Sequence, residues 1–160
     1  MYIRFVTTGG TIDKIYFDAL SRFEVGDSPI AAILAEGLAH IDYDVYSMFR
    51  KDSLELTDKD RQALGEYIAG EDAAHFVISH GTDSMVETAK TLADIPDKRM
   101  VLTGSLSPAR FKTTDAIFNV GMAVAAVQLV PPGAYIAMNG QVFAADRVKK
   151  NRAANRFEEI

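Results

Sequence analysis

The 160 residues contain no cysteine, so disulfide bonds, thiolate catalysis and cysteine-ligated metals are excluded. Histidine is scarce: His40, His75 and His80 are scattered and show no metal-ligand spacing. Positive charge is in deficit, with 17 basic residues against 22 acidic ones and a formal net charge of −5. Such a surface argues against general nucleic-acid binding, which needs a positive field. The basic tail (Arg147, Lys149, Lys150, Arg152, Arg156) lacks interleaved aromatic residues and reads as solvated charge rather than an RNA patch. No uninterrupted apolar run approaches the roughly 20 residues that cross a bilayer. The N-terminus, Met1-Tyr2-Ile3-Arg4-Phe5, enters a strand-like run without a basic segment followed by a long apolar one. The expectation is a cytoplasmic protein with no membrane partner.

What is present suits a folded domain. Hydrophobic residues make up 48% of the chain and charged residues 24%, an ordinary globular balance. The length suits one domain over residues 1–160 with a real core. Ile3–Val6 reads as a strand leading into Thr8-Gly9-Gly10-Thr11. Asp13 to Asp27 shows no helical period and reads as a long loop carrying Lys14, Tyr16, Phe17 and Phe23. Ser28-Pro29 opens a helix with Pro at its first position and with Ile30, Ile33, Leu34 and Leu38 on one face. Tyr43–Phe49 alternates as a strand. Thr57 and Asp60 resemble a capping box for a helix that buries Leu64, Tyr67 and Ile68 and stops at Gly70. Phe76–Ile78 is a strand, followed by a helix with Met85, Val86, Ala89 and Leu92 inward. Met100–Thr103 is another strand. Thr114 caps a helix with Ile117, Val120, Val124 and Val127 inward. Asn139-Gly140 between two apolar runs, Tyr135–Met138 and Gln141–Ala144, signals a C-terminal β-hairpin.

Strands alternating with helices predict an α/β fold: three layers, a mostly parallel sheet with helices on both faces, flavodoxin- or Rossmann-like. In such a sheet the loops leaving the strands share one edge, and ligands bind there at the switch point. This places Thr11, Ser53, Thr82, Asp83 and Ser105 on one edge. Thr11 offers a hydroxyl nucleophile in a glycine loop that lets backbone approach a ligand. The same loop also reads as a plain strand-to-helix turn whose threonines cap backbone groups. A phosphate cradle is a further option, although the chain has neither the Gly-Lys-Ser/Thr ending nor the GxGxxG spacing. Asp83 suits a helix N-cap, His80 a hydrogen-bonded structural histidine, and Lys150 a solvated tail charge. Beside an aspartate, Lys150 could instead be oriented for proton transfer.

Thr8-Gly9-Gly10-Thr11-Ile12 resembles the first signature of the bacterial-type L-asparaginase family. His80-Gly81-Thr82-Asp83-Ser84-Met85 resembles the second, with Ser84 where threonine is commoner. Asp52-Ser53 resembles the family's substrate-binding loop, and Asp146-Arg147-Val148-Lys149-Lys150 the segment carrying its catalytic lysine. The resemblance covers essentially the whole chain but only the family's N-terminal domain. It implies that Thr11 attacks the side-chain amide carbon of L-asparagine. Thr82, Asp83 and Lys150 would form a proton-moving triad. Asp83 would hold the substrate's α-ammonium and Ser53 its α-carboxylate, with Gly10, Asp52, Gly81 and Thr82 completing the binding residues. It implies no metal and no organic cofactor, L-glutamine as a second amide, and a homo-oligomer, dimer or tetramer.

The chain also departs from the family pattern. The 160 residues contain no counterpart of the C-terminal domain that completes a neighbouring subunit's site, so the expectation is a short-chain, single-domain asparaginase. Phe23 stands at the spacing of the mobile-loop tyrosine, which makes Tyr16 the expected activating phenol. Leu54 follows the substrate-binding serine where glutamine stands in periplasmic-type members. Weakened affinity and altered specificity are expected from these losses. The alternatives are a non-catalytic amino-acid-binding module, an amidase for glutamine or a related amide, and an amidotransferase subunit.

Overall fold

A computed structural model describes residues 1–17 and 22–160. The elements in chain order are β1 (Tyr2–Gly9), β2 (Lys14–Phe17), β3 (Arg22–Val25), α1 (Ile30–Glu36), β4 (Asp42–Lys51), α2 (Asp58–Gly70) and β5 (His75–Ser79). They continue with α3 (Met85–Leu92), β6 (Arg99–Thr103), α4 (Ala116–Leu129), β7 (Gly133–Met138), β8 (Gln141–Ala144), β9 (Val148–Asn151) and β10 (Arg156–Glu159). The main sheet runs in the order β4-β1-β5-β6-β7-β8. All its pairings are parallel except that of β7 with β8. Counted within this sheet alone, the parallel strands follow the flavodoxin-type order 2-1-3-4-5, whose switch point lies between β1 and β5.

Both faces of the sheet are buried, as parallel sheets require. Phe76, Ile78, Met100, Leu102, Ile136 and Met138 pack on one side with Leu64 and Ile68 of α2 and Met85, Ala89 and Leu92 of α3. Their sequence neighbours Val77, Val101 and Ala137 point to the other side, against Ile30, Ile33 and Leu34 of α1 and Val120, Ala123 and Val127 of α4. Three layers with helices on both faces thus form as expected. Asn139-Gly140 turns the β7–β8 hairpin, with both residues at positive φ. The capping box is present: Thr57 Oγ1 accepts the Asp60 N–H, and Asp60 Oδ2 accepts the Thr57 N–H.

Several local expectations are corrected. The stretch after Asp13 is not a plain loop but the antiparallel pair β2–β3, with Tyr16 directly opposite Phe23. Their rings meet edge-on at 5.5 Å, the kind of cross-strand aromatic pair that holds a two-stranded ribbon. Positions 18–21 of that stretch lie outside the described residues. Helix α1 ends at Glu36, with Gly37 as its C-cap, so Leu38 falls beyond the helix at φ 51° and is 88% exposed. Pro29 occupies the N-cap of α1, one place before the expected position. Asp115, not Thr114, is the N-cap of α4. Val120 and Val127 are buried as expected, along with Ala116, Asn119 and Ala123, whereas Ile117 is exposed and Val124 half-buried. Tyr67 and Val86 are also only half-buried. The Tyr67 phenol reaches the sheet edge to accept the Arg4 guanidinium at 2.6 Å. The basic tail folds into a second hairpin, β9–β10, anchored by buried Val148 and Phe157.

Two glycines give opposite expectations for stability. Gly9 has φ 99°, and a Cβ there would lie 2.3 Å from the Lys51 carbonyl oxygen. Gly121 lies inside α4 with open space at the Cβ position. Gly9→Ala should lower the melting temperature sharply, whereas Gly121→Ala should stabilise the chain by about 0.5–1 kcal/mol. Thermal denaturation of both variants checks the pair, and equal effects would contradict it.

Candidate active site

The loops leaving β1, β4, β5 and β6 converge at the carboxyl edge of the sheet, around the switch point. They approach so closely that side chains do not fit between them. A Cβ on Gly10 would fall 2.4 Å from the Cα of Gly81, one on Gly81 would fall 2.5 Å from the Cβ of Ser53, and one on Gly104 would fall 2.3 Å from the His80 carbonyl oxygen. Hydrogen bonds fix the same contacts. Gly10 N–H donates to the Lys51 carbonyl at 2.9 Å, Thr8 Oγ1 to the Ser79 carbonyl at 2.9 Å, and Ser84 Oγ to the Ser53 carbonyl at 2.6 Å. Gly10, Ser53 and Gly81 are therefore brought together, and Thr11, Thr82 and Asp83 follow directly in the chain.

Strand β9 supplies the long-range member. Lys150 Nζ donates to Thr82 Oγ1 at 2.8 Å and to Asp83 Oδ1 at 2.7 Å. The lysine side chain is 11% exposed and the aspartate 38%. Thr82 is buried. The N-cap of α3 is Ser84, so Asp83 does not cap the helix: its carboxylate faces the lysine instead. Arg152, which sequence reasoning left in the solvated tail, approaches the same carboxylate at 3.9 Å and donates to the Asp83 carbonyl at 3.4 Å. No sequence spacing could have placed it there, because a turn within β9–β10 does so.

Asp52 does not join this group directly. Its carboxylate pairs with Lys14 of β2 at 2.7 Å and accepts the Leu54 N–H. Burial pushes the Asp52 carboxyl up, but Lys14 and the N–H groups of Leu54 and Ser53 outweigh it and hold the group below its ordinary value. The pair ties the β2–β3 hairpin to the loop that carries Ser53. Thr11 is half-buried and its hydroxyl makes no hydrogen bond among the described residues. Tyr16 lies on the hairpin, 53% exposed, in a row of rings with Phe23 and Phe111. Ser105 is buried and donates to the Ser107 carbonyl, within a loop held by Asp115. His80 is fully buried with both ring nitrogens partnered, as a structural histidine would be. Among the described residues no three His, Asp or Glu side chains converge as a metal site.

The arrangement is a lysine shared between a hydroxyl and a carboxylate, beside glycine-rich backbone and a second hydroxyl. That is the equipment of acyl transfer through an oxygen nucleophile. A sequence model of the N-terminal domain of asparaginase matches residues 2–158. An L-asparaginase of Bacillus licheniformis is 32% identical over 171 residues, covering 96% of this chain and 51% of that protein. The thermostable L-asparaginase of Thermococcus kodakarensis superposes with a TM-score of 0.84 at 23% identity, over 100% of this chain and 51% of that one. A protein described as the probable cytoplasmic L-asparaginase of Campylobacter jejuni superposes with a TM-score of 0.78 at 29% identity, over 99% and 51%. The chain thus spans about half the length of the proteins it matches.

A buried carboxyl two residues after Thr11 makes stability depend on pH. Asp13 is buried, and its Oδ1 has no hydrogen-bond partner among the described residues. Burial pushes this carboxyl up to about 7, and the Ser28 hydroxyl and the Arg50 charge pull it back only in part. The folded chain holds a proton that the unfolded chain releases near pH 4. Ionisation of Asp13 therefore removes stability progressively as pH rises to about 7, and above that the loss is complete. Asp13→Asn keeps the shape without the charge. In urea denaturation the native chain should lose about 2–4 kcal/mol more than Asp13→Asn between pH 4.5 and pH 8. Parallel losses in the two proteins would refute this.

Proposed function

The chain belongs to the asparaginase family through that N-terminal domain, and from this premise we propose that it is an L-asparagine amidohydrolase. The observation that carries the proposal is Lys150 bridging Thr82 and Asp83 across 67–68 residues of sequence, beside the Gly10–Gly81 contact. In this reading Thr11 Oγ attacks the side-chain amide carbon of asparagine, and its proton passes by way of the Tyr16 phenol. Backbone N–H groups of the converging loops stabilise the oxyanion. The C–N bond breaks and ammonia leaves with the proton. Water then hydrolyses the Thr11 ester, releasing aspartate and restoring the hydroxyl.

Each binding role has a physical support. Ser53 stands against Gly81, where a substrate α-carboxylate can meet its hydroxyl and nearby N–H groups. The outer oxygen of the Asp83 carboxylate is available for an α-ammonium, since Lys150 takes the other one. Asp52 is kept ionised by Lys14 at the same rim. A homo-oligomer fits the half-exposed rings of Tyr16, Phe23 and Phe111 beside the site, which a second copy would cover. A cytoplasmic location is part of the proposal and is supported by the description of the Campylobacter relative.

Ammonia release from L-asparagine tests the assignment. Thr11→Ala and Lys150→Met should each lose about three orders of magnitude or more in kcat. Tyr16→Phe should lose about 10²- to 10⁴-fold, the usual worth of a positioned proton-transfer group. A native chain that binds aspartate saturably but never releases ammonia would instead be an amino-acid-binding module. Faster turnover of glutamine would move the preferred amide. Light scattering should give twice or four times 17.5 kDa, and a monomer at working concentration would reject the oligomer.

A further inference from the structure

Behind the triad lies a buried polar chain that the proposed reaction does not use. His80, directly after β5, is fully buried. Its Nδ1 lies 2.7 Å from the Gly81 carbonyl oxygen and its Nε2 lies 2.8 Å from Thr88 Oγ1 on α3. A carbonyl can only accept, so Nδ1 carries the proton. The ring is neutral, because complete burial pushes it down to about 4, helped by the Arg61 charge. Nε2 must then accept, and the single Thr88 hydroxyl proton goes to it rather than to the Ser84 carbonyl 3.2 Å away. The Thr88 oxygen is left to accept Arg61 Nε–H at 3.2 Å. Arg61, on α2, is itself buried and held by Asp58 at 3.0 Å. Every donor in the sequence Arg61, Thr88, His80 therefore points the same way and ends on one peptide oxygen.

That peptide links Gly81 to Thr82, and it is trans. In a planar trans peptide the C=O and N–H point in opposite directions. Drawing the Gly81 oxygen inward to His80 turns the Thr82 N–H outward, away from the core. This N–H has no acceptor among the described residues. We propose that His80 is a positioning residue: the Arg61–Thr88–His80 chain fixes the Gly81–Thr82 peptide so that the Thr82 N–H is presented to the reacting amide before substrate arrives. The proposal rests on the amidohydrolase reading for its catalytic consequence. The alignment of the peptide stands on geometry alone.

Thr88→Val is close to isosteric and removes only the hydroxyl, and Thr88→Ser restores it. In ¹⁵N-detected NMR the native His80 should show the Nδ1–H tautomer, unchanged from pH 5 to pH 9. The Thr82 amide resonance should move in Thr88→Val and return in Thr88→Ser. In the ammonia assay Thr88→Val should lose about 10- to 100-fold in kcat with KM nearly unchanged, the effect of a misaimed donor rather than lost binding. Thr88→Ser should recover most of it. An Nε2–H tautomer in the native chain, an unmoved Thr82 amide, or equal loss in Val and Ser variants would each overturn the proposal. If the native chain releases no ammonia, the amidohydrolase reading fails, while the two NMR measurements still decide the alignment.

Discussion

Adjacent strands in a sheet lie only about 4.8 Å apart. Loops leaving neighbouring parallel strands on the same edge inherit that spacing, and two loops with side chains facing each other cannot both occupy it. The carboxyl edge of this sheet resolves the conflict by omitting Cβ atoms. Gly9 admits the backbone of Lys51, Gly10 and Gly81 admit each other, Gly81 admits Ser53, and Gly104 admits the His80 carbonyl. Two of these glycines, Gly9 and Gly10, also sit at positive φ, which other residues adopt at a cost. With the loops in contact through backbone, the hydroxyl and carboxylate residues that follow them are gathered around one point without any side chain having to reach far.

Lys150 depends on a different device. It belongs to a short hairpin that could not be stable alone. Val148 and Phe157 fasten the hairpin to the core on the α3 side of the sheet, and Asn139 accepts the Phe157 N–H at 2.9 Å, joining it to the β7–β8 turn. So fastened, the lysine is drawn largely out of water, which is tolerable only because Thr82 and Asp83 both accept from it. Removing either acceptor would leave a mostly buried cation short of partners. The same geometry that orients the ammonium thus makes the three residues interdependent, and single substitutions among them should not be additive.

The layer order, the sheet edge and the capping box were legible because each leaves a local mark: alternating strands and helices, glycines after apolar runs, Thr57 three residues before Asp60. The β2–β3 hairpin was not. Its four-residue strands carry no turn dipeptide and no helical period, and their pairing depends on Tyr16 meeting Phe23 across the ribbon. In α4 the buried face is centred on Ala116, Asn119, Val120, Ala123 and Val127, so Val120 and Val127 fell where the period put them, while Ile117 at its margin did not; the small residues Ala116 and Ala123 leave no mark in an apolar period. Lys150 was recognisable only through resemblance, since nothing local distinguishes it from Lys149. His80 was legible as a structural histidine, yet its partner Thr88 on α3, and Arg61 on α2 behind it, were not.

A division of labour follows from where charge is allowed. Deep in the fold His80 is kept neutral by burial, so its hydrogen-bond role is fixed near neutral pH, whereas buried Asp13, pushed up to about 7, changes state there only at a cost in stability. At the rim, Lys150, Asp83, Asp52 and Lys14 keep partial access to water and remain paired. Chemistry that moves protons needs groups whose state can change, while the donors that stabilise developing charge need to be in place beforehand. A neutral, single-tautomer histidine is suited to the second task and unsuited to the first. Its burial therefore fits a scaffold role, and in the proposed reaction proton transfer falls to other groups, at the rim of the site.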